Sequence, residues 1–178
     1  MQRIIIPLIF ILTALWSKAQ TSSWQKLTTE PYAGKQDDIT FVDRNTGWYV
    51  NGFGRIYHTQ DGGKTWTKQL EQKGSFFRTI VFLDEKVGFV GTVGTDYFPN
   101  VTDTIPLYGT QDGGKTWKPV AYKGPYVKGL CAFDVVKEQY INHGKIDYKT
   151  HLFAVGRVGR IQDLLVQQPV KTLPSRMP

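Results

Sequence analysis

The chain has 178 residues, a net charge of +7 from 22 basic and 15 acidic side chains, 13% aromatic residues and one cysteine. The charges are scattered, so the basic stripe that nucleic-acid binding needs is missing and no nucleic-acid partner is expected. A lone cysteine excludes an internal disulfide, and short apolar runs between frequent glycines read as an all-β composition.

Residues 1–19 read as a signal-peptide helix. Met1, Gln2 and Arg3 give a positive start, residues 4–15 are almost all apolar, and Ser17-Lys18-Ala19 offers a small-x-small cleavage site before Gln20. The apolar run is shorter than the ~20 residues a spanning helix needs. Export to the periplasm or the exterior is expected, with no integral membrane span after cleavage. Lys18 beside the cleavage site leaves an uncleaved anchor as the alternative. Cleavage would remove two positive charges and no acid from the +7.

Residues 20–161 carry a repeat. Thr59-Gln60-Asp61-Gly62-Gly63-Lys64-Thr65-Trp66 recurs letter for letter at Thr110-Gln111-Asp112-Gly113-Gly114-Lys115-Thr116-Trp117. Each copy closes a longer unit. The first unit runs through Ile39 to Asp43, Gly47 to Val50 and Gly54 to His58. The second runs through Ile80 to Asp84, Gly88 to Gly91, an insertion, and Leu107 to Gly109. Four short strands per unit predict propeller blades. A third unit starts at Leu130, is interrupted by a polar insertion over 137–149, and resumes at Leu152. Gly159-Arg160-Ile161 then echoes Gly54-Arg55-Ile56, but no third octapeptide follows. Trp24-Gln25-Lys26-Leu27 resembles the segment after the first octapeptide and predicts a last blade strand at the start of the mature chain. Residues 162–178, without Gly or Trp and with Pro169, Pro174 and Pro178, predict an irregular C-terminal tail. The organisation expected is therefore an incomplete propeller of two full blades and a partial third. A truncated or frame-shifted longer propeller, assembly with another copy, and a degenerate relic all accommodate it.

The octapeptide is legible as a turn. Asp61 and Asp112 can accept backbone N–H bonds downstream, and Gly62, Gly63, Gly113 and Gly114 supply positive φ. Thr59, Thr65, Thr110 and Thr116 flank the turn, and Trp66 and Trp117 fold over it. Cys131, between Leu130 and Ala132, reads as a buried small hydrophobe.

Thr-x-Asp-x-Gly-x-Thr-Trp resembles the Asp-box, or bacterial neuraminidase repeat, of sialidases, sortilin-type receptors and photosystem II assembly/stability factor-like proteins. The longer unit over roughly 24–161 is most similar to the last group. The resemblance implies a structural role for the Asp-box residues and a non-catalytic, exported module that binds or scaffolds a partner protein. Self-association through open sheet edges is a further expectation. The loops opposite the Asp-boxes are 30–38, 71–78, 94–106, 122–129 and 157–159. On them Tyr32, Arg78, Tyr97, Tyr126, Lys128 and Arg157 are the candidate binding residues, an aromatic and basic mixture suited to interfaces. The alternative is a sialidase-like glycoside hydrolase fragment, but the Arg-Ile-Pro element of that family is absent after residue 19. His58, His143 and His151 share no ligand spacing, so neither a metal nor a cofactor is expected.

Overall fold

The structure, a computed structural model, describes residues 24–122, 126–158 and 161–170, the last of these as backbone. Four strands, β1 (Gln36–Phe41), β2 (Gly47–Asn51), β3 (Arg55–Thr59) and β4 (Thr67–Glu71), form an antiparallel sheet in chain order. A second sheet repeats this with β5 (Phe77–Phe82), β6 (Gly88–Thr92), β7 (Leu107–Thr110) and β8 (Lys118–Pro119). These are two propeller blades, as the repeat predicts. The third sheet contains β9 (Gly129–Asn142), β10 (Lys145–Val158) and β11 (Ile161–Val170), in the order β11-β10-β9. The first strands β1, β5 and β9 are neighbours in turn.

Alternation along each strand decides what is buried between sheets. Trp48, Val50 and Ile56 of the first blade meet Phe77, Ile80, Phe82, Val90 and Tyr108 of the second in one apolar core. Trp48 stacks on Phe82 with ring centroids 3.5 Å apart. A smaller core of Val127, Leu130 and Ala154, with Leu107, Tyr122 and Phe133 against it, joins the second blade to the third sheet. The other face of the first blade stacks Tyr49 on Tyr57 at 4.5 Å and is crossed by the segment at Glu30. The Tyr57 hydroxyl donates to Glu30 at 2.6 Å. Burial pushes the Tyr49 phenol up to about 12.

Both Asp-box turns adopt the same geometry. Thr65 N–H donates to Asp61 Oδ1 at 2.9 Å and the Thr65 hydroxyl to Oδ2 at 2.6 Å; Thr116 repeats both distances on Asp112. Thr59 and Thr110 donate to the same carboxylates at 2.8 Å and accept from Gly63 and Gly114. These hydroxyl and amide donors hold both carboxyls well below the usual range, at about 2. The second turn also ties the blades together: the Gly113 carbonyl accepts from Trp48 Nε1 at 3.3 Å and Gln69 Nε2 at 3.0 Å.

Three expectations are corrected. Residues 24–27 form no strand, and Trp24 is 98% exposed. Its counterpart Trp66 packs on Tyr49 and Phe41 of its own blade, whereas Trp24 has no described sheet beneath it. The tail expected to be irregular from 162 instead continues β11 to Val170, beside β10. Pro169 is accommodated because β11 is an edge strand, where one row of ladder donors is not needed. The polar insertion at 137–149 forms the outer half of a β9–β10 hairpin. His143 (φ 48°) and Gly144 (φ 75°) close it with the two left-handed residues a tight hairpin requires. Cys131 is exposed, because the register shifts there by one residue. That bulge lets both Leu130 and Phe133 face the core and leaves Cys131 outside the alternation. The signal-peptide helix expected over 1–19 lies outside the described residues.

Candidate functional site

The turns at 42–46, 60–66, 83–87 and 111–117 share one end of the blades, where Gly62 N–H donates to the Asn45 carbonyl and Gly113 N–H to that of Lys86. The opposite end carries the segments at 30–35, 52–54, 72–76 and 93–106 and the start of β9. There the aromatic side chains do not lie scattered. They form one row.

Phe53, in the β2–β3 turn, meets Tyr32 edge-on at 4.6 Å. Tyr32 and Phe76 converge over Gly52: a Cβ there would lie 2.7 Å from the Tyr32 hydroxyl and 2.6 Å from the Phe76 ring. Phe76 stacks on Phe98 at 4.5 Å, and Phe98 meets Tyr97 edge-on at 4.8 Å. Each end carries an arginine, Arg55 at 5.2 Å from the Phe53 ring centroid and Arg157 at 5.6 Å from that of Tyr97. Phe53 (52% exposed) and Tyr97 (61%) offer large apolar surface to solvent. Burial, and then the Asp37 charge, raise the Tyr32 phenol above its ordinary value.

The two ends differ electrically. Arg55 is paired with Glu30 at 3.1 Å and Glu71 at 3.2 Å, so its charge is neutralised. Arg157 donates to the Thr95 carbonyl at 2.6 Å, and its buried Nε has no partner among the described residues. The nearby Asp96 accepts from Lys128, whose hydrogen bond and then charge hold that carboxyl below its usual range. The Arg157 end is therefore the cationic one.

The long loop between β6 and β7 is fixed from both sides, so the row is pre-formed. Asp103 accepts from Ser75 Oγ, from Gln72 Nε2 at 2.9 Å and from the Tyr108 hydroxyl. Thr102 and Asp103 donate backbone N–H groups to the Gly74 carbonyl. On the other side Gly94 passes so close to the β9 start that a Cβ would lie 2.0 Å from the Lys128 carbonyl, and at φ 74° only glycine sits there without strain.

Of the candidate residues, Tyr32, Tyr97 and Arg157 fall in the row and Lys128 lies beside it through Asp96. Arg78 does not: it turns to the fully buried Asp37 carboxylate at 2.7 Å. Tyr126 stands exposed outside the stacked pairs. Sequence reasoning missed Phe53, Phe76 and Arg55. Phe76-Phe77 carried a usable signal, since alternation sends one ring of such a pair to the core and the other outward. The histidines are apart, with His58 stacked on Trp48, His143 in the hairpin turn and His151 against Glu138. Among the described residues no group of three His, Cys, Asp or Glu side chains gathers. No helix there is long and apolar enough to cross a membrane.

Among known families, residues 12–97 match the model described as photosynthesis system II assembly factor YCF48. The curated proteins gave no match. One solved structure with a similar chain is that of YCF48 bound to D1 peptide, with 18% identity and a TM-score of 0.43. The match covers 74% of the present chain and 39% of the other, so the chain spans about two fifths of that protein's length.

Proposed function

We propose that this Asp-box repeat β-propeller, whose residues 12–97 match the model of the photosystem II assembly factors, is a non-catalytic, exported module that holds a partner protein on the face opposite the Asp-box turns. The observation that carries this reading is the pre-formed aromatic row from Phe53 to Tyr97 with its cationic end at Arg157. Exposed aromatic rings backed by anchored loops supply contact area at little ordering cost, and arginine beside aromatics is the composition of interface hot spots. The occupant fitted to this surface is an extended peptide segment with apolar or aromatic side chains, its acidic group toward Arg157. Export rests on the signal-like N-terminus.

The test is an array of synthetic peptides probed with the purified protein. Peptides retained by the wild type are expected to be lost to Phe98→Ala and Arg157→Ala but kept by Lys115→Ala on the Asp-box face. Equal binding by all four proteins would refute the assignment. Intact-mass analysis of the exported protein is expected to show Gln20 as its first residue; a full-length product confined to the cytoplasm would refute export.

A further inference from the structure

Residues 27–32 run without regular structure across the face of the first blade that carries Tyr49 and Tyr57. At one end Leu27 Cδ1 lies against Gly63 of the first Asp-box turn, 2.7 Å from where a Cβ would sit. At the other end Tyr32 enters the aromatic row beside Phe53. Five residues of extended chain cover about 17 Å, the length of a five-residue strand. This strap therefore spans the blade from the Asp-box turn to the row.

Glu30 fastens the strap midway. Its Oε2 accepts the Tyr57 hydroxyl at 2.6 Å and its Oε1 accepts Arg55 Nη1 at 3.1 Å, with Lys68 Nζ at 3.9 Å. Burial, and then the bond to Glu30, push the Tyr57 phenol up, so the hydroxyl keeps the proton it donates. The same Arg55 lies over the Phe53 ring. Glu30 also precedes Tyr32 closely, in Glu30-Pro31-Tyr32. Proline fixes its own φ and holds the residue before it extended, so the step from carboxylate to ring is stiff. A closed circuit results: Glu30 to Arg55, Arg55 to Phe53, Phe53 to Tyr32, and Tyr32 back through Pro31 to Glu30.

We infer that Glu30 is a positioning residue for the aromatic row, seating the strap so that Tyr32 and Phe53 meet as one pre-formed surface for an apolar or aromatic side chain of the bound peptide. This rests on the partner-binding reading above. Glu30 acts through Tyr32 and not by touching the peptide. With the strap unfastened, Tyr32 leaves Phe53 and the row is cut at Gly52. Arg55 and Lys68 keep Glu71 at 3.2 Å and 2.7 Å, so opening the strap strands no cation and the blade stays folded.

Titration of the full chain with a peptide retained on the array tests this. Glu30→Ala is expected to weaken binding about tenfold, the cost of ordering a ring that is no longer held. Tyr57→Phe, which removes only the hydroxyl, is expected to weaken it less. In the Tyr32→Ala background Glu30→Ala is expected to cost nothing further, and equal losses in both backgrounds would overturn the inference. A second readout needs no peptide. The NOE between the Tyr32 and Phe53 rings is expected in the wild type and absent from Glu30→Ala, with that between Tyr49 and Tyr57 kept in both. A Tyr32–Phe53 NOE that persists in Glu30→Ala would overturn the inference. Should the wild type retain no peptide, the partner-binding reading falls and this NOE alone decides the role of Glu30. Should Glu30→Ala lose its fold, Tyr57→Phe takes its place in both measurements.

Discussion

Asp38→Ala tests how the two blades are held together. Asp38 belongs to β1, the inner edge of the first blade, and its Oδ2 accepts the Thr79 hydroxyl at 2.8 Å and the Ile80 N–H at 2.9 Å, both on β5. β5 is likewise an edge strand, so the Ile80 donor has no ladder partner on that side. Thr79 is buried. Alanine removes the charged acceptor and leaves two buried donors dry. At roughly 1–3 kcal/mol for each donor left unsatisfied, the expected loss is about 3 kcal/mol. Asn keeps one acceptor oxygen in place, so Asp38→Asn should cost about half as much. Thr79→Val removes one donor at similar volume and should cost about 1 kcal/mol alone but little more once Asp38 is alanine. Urea unfolding followed by tryptophan fluorescence measures all four proteins. A loss below about 0.5 kcal/mol for Asp38→Ala, or strict additivity with Thr79→Val, would refute the reasoning.

Other perturbations address the turns and the aromatic row. The Asp61 and Asp112 carboxyls are held at about 2 in the fold, below their unfolded value near 4. Their contribution is therefore full above about pH 4 and lost as the pH falls through about 2. Thermal melts should show a fall in Tm over that interval that is flatter in Asp61→Asn/Asp112→Asn. Gly54→Ala combines φ 67° with a Cβ 2.2 Å from the Gln72 carbonyl and should cost about 3 kcal/mol or more. Gly144→Ala, at φ 75° in open space, should cost only about 1 kcal/mol; equal losses in the two melts would show that the collision is not what matters. Gly52→Ala places a methyl group where Tyr32 and Phe76 converge and should abolish peptide retention on the array, while the unfolding free energy from urea titration changes by less than about 1 kcal/mol. Retained peptide binding would mean that continuity of the row is unnecessary.

The two octapeptides announced a blade before any coordinates, because a turn that needs aspartate, paired glycines and flanking threonines is a local problem with a local answer. The same is true of four strands between glycine-rich turns. The candidate site was only half legible. Tyr32, Tyr97 and Arg157 lie far apart in the chain, and the rings that join them, Phe53, Phe76 and Phe98, become neighbours only when three separate turns converge. Arg78 looked equally suited by position, yet the buried Asp37 captures it, an outcome set by distance in space and not by spacing in sequence.

The third sheet divides most sharply along this line. The sequence marked strands starting at Leu130 and Leu152, but the register decided that Cys131 bulges out, that 137–149 becomes the outer half of a hairpin and that 161–170 pairs with β10. The sequence by itself determined the blade unit and its Asp-box turn, since both arise from interactions within a few residues. Tertiary structure alone decided which rings form the row and which arginine, among the described residues, stays without a carboxylate partner, since those depend on surfaces brought together across sheets.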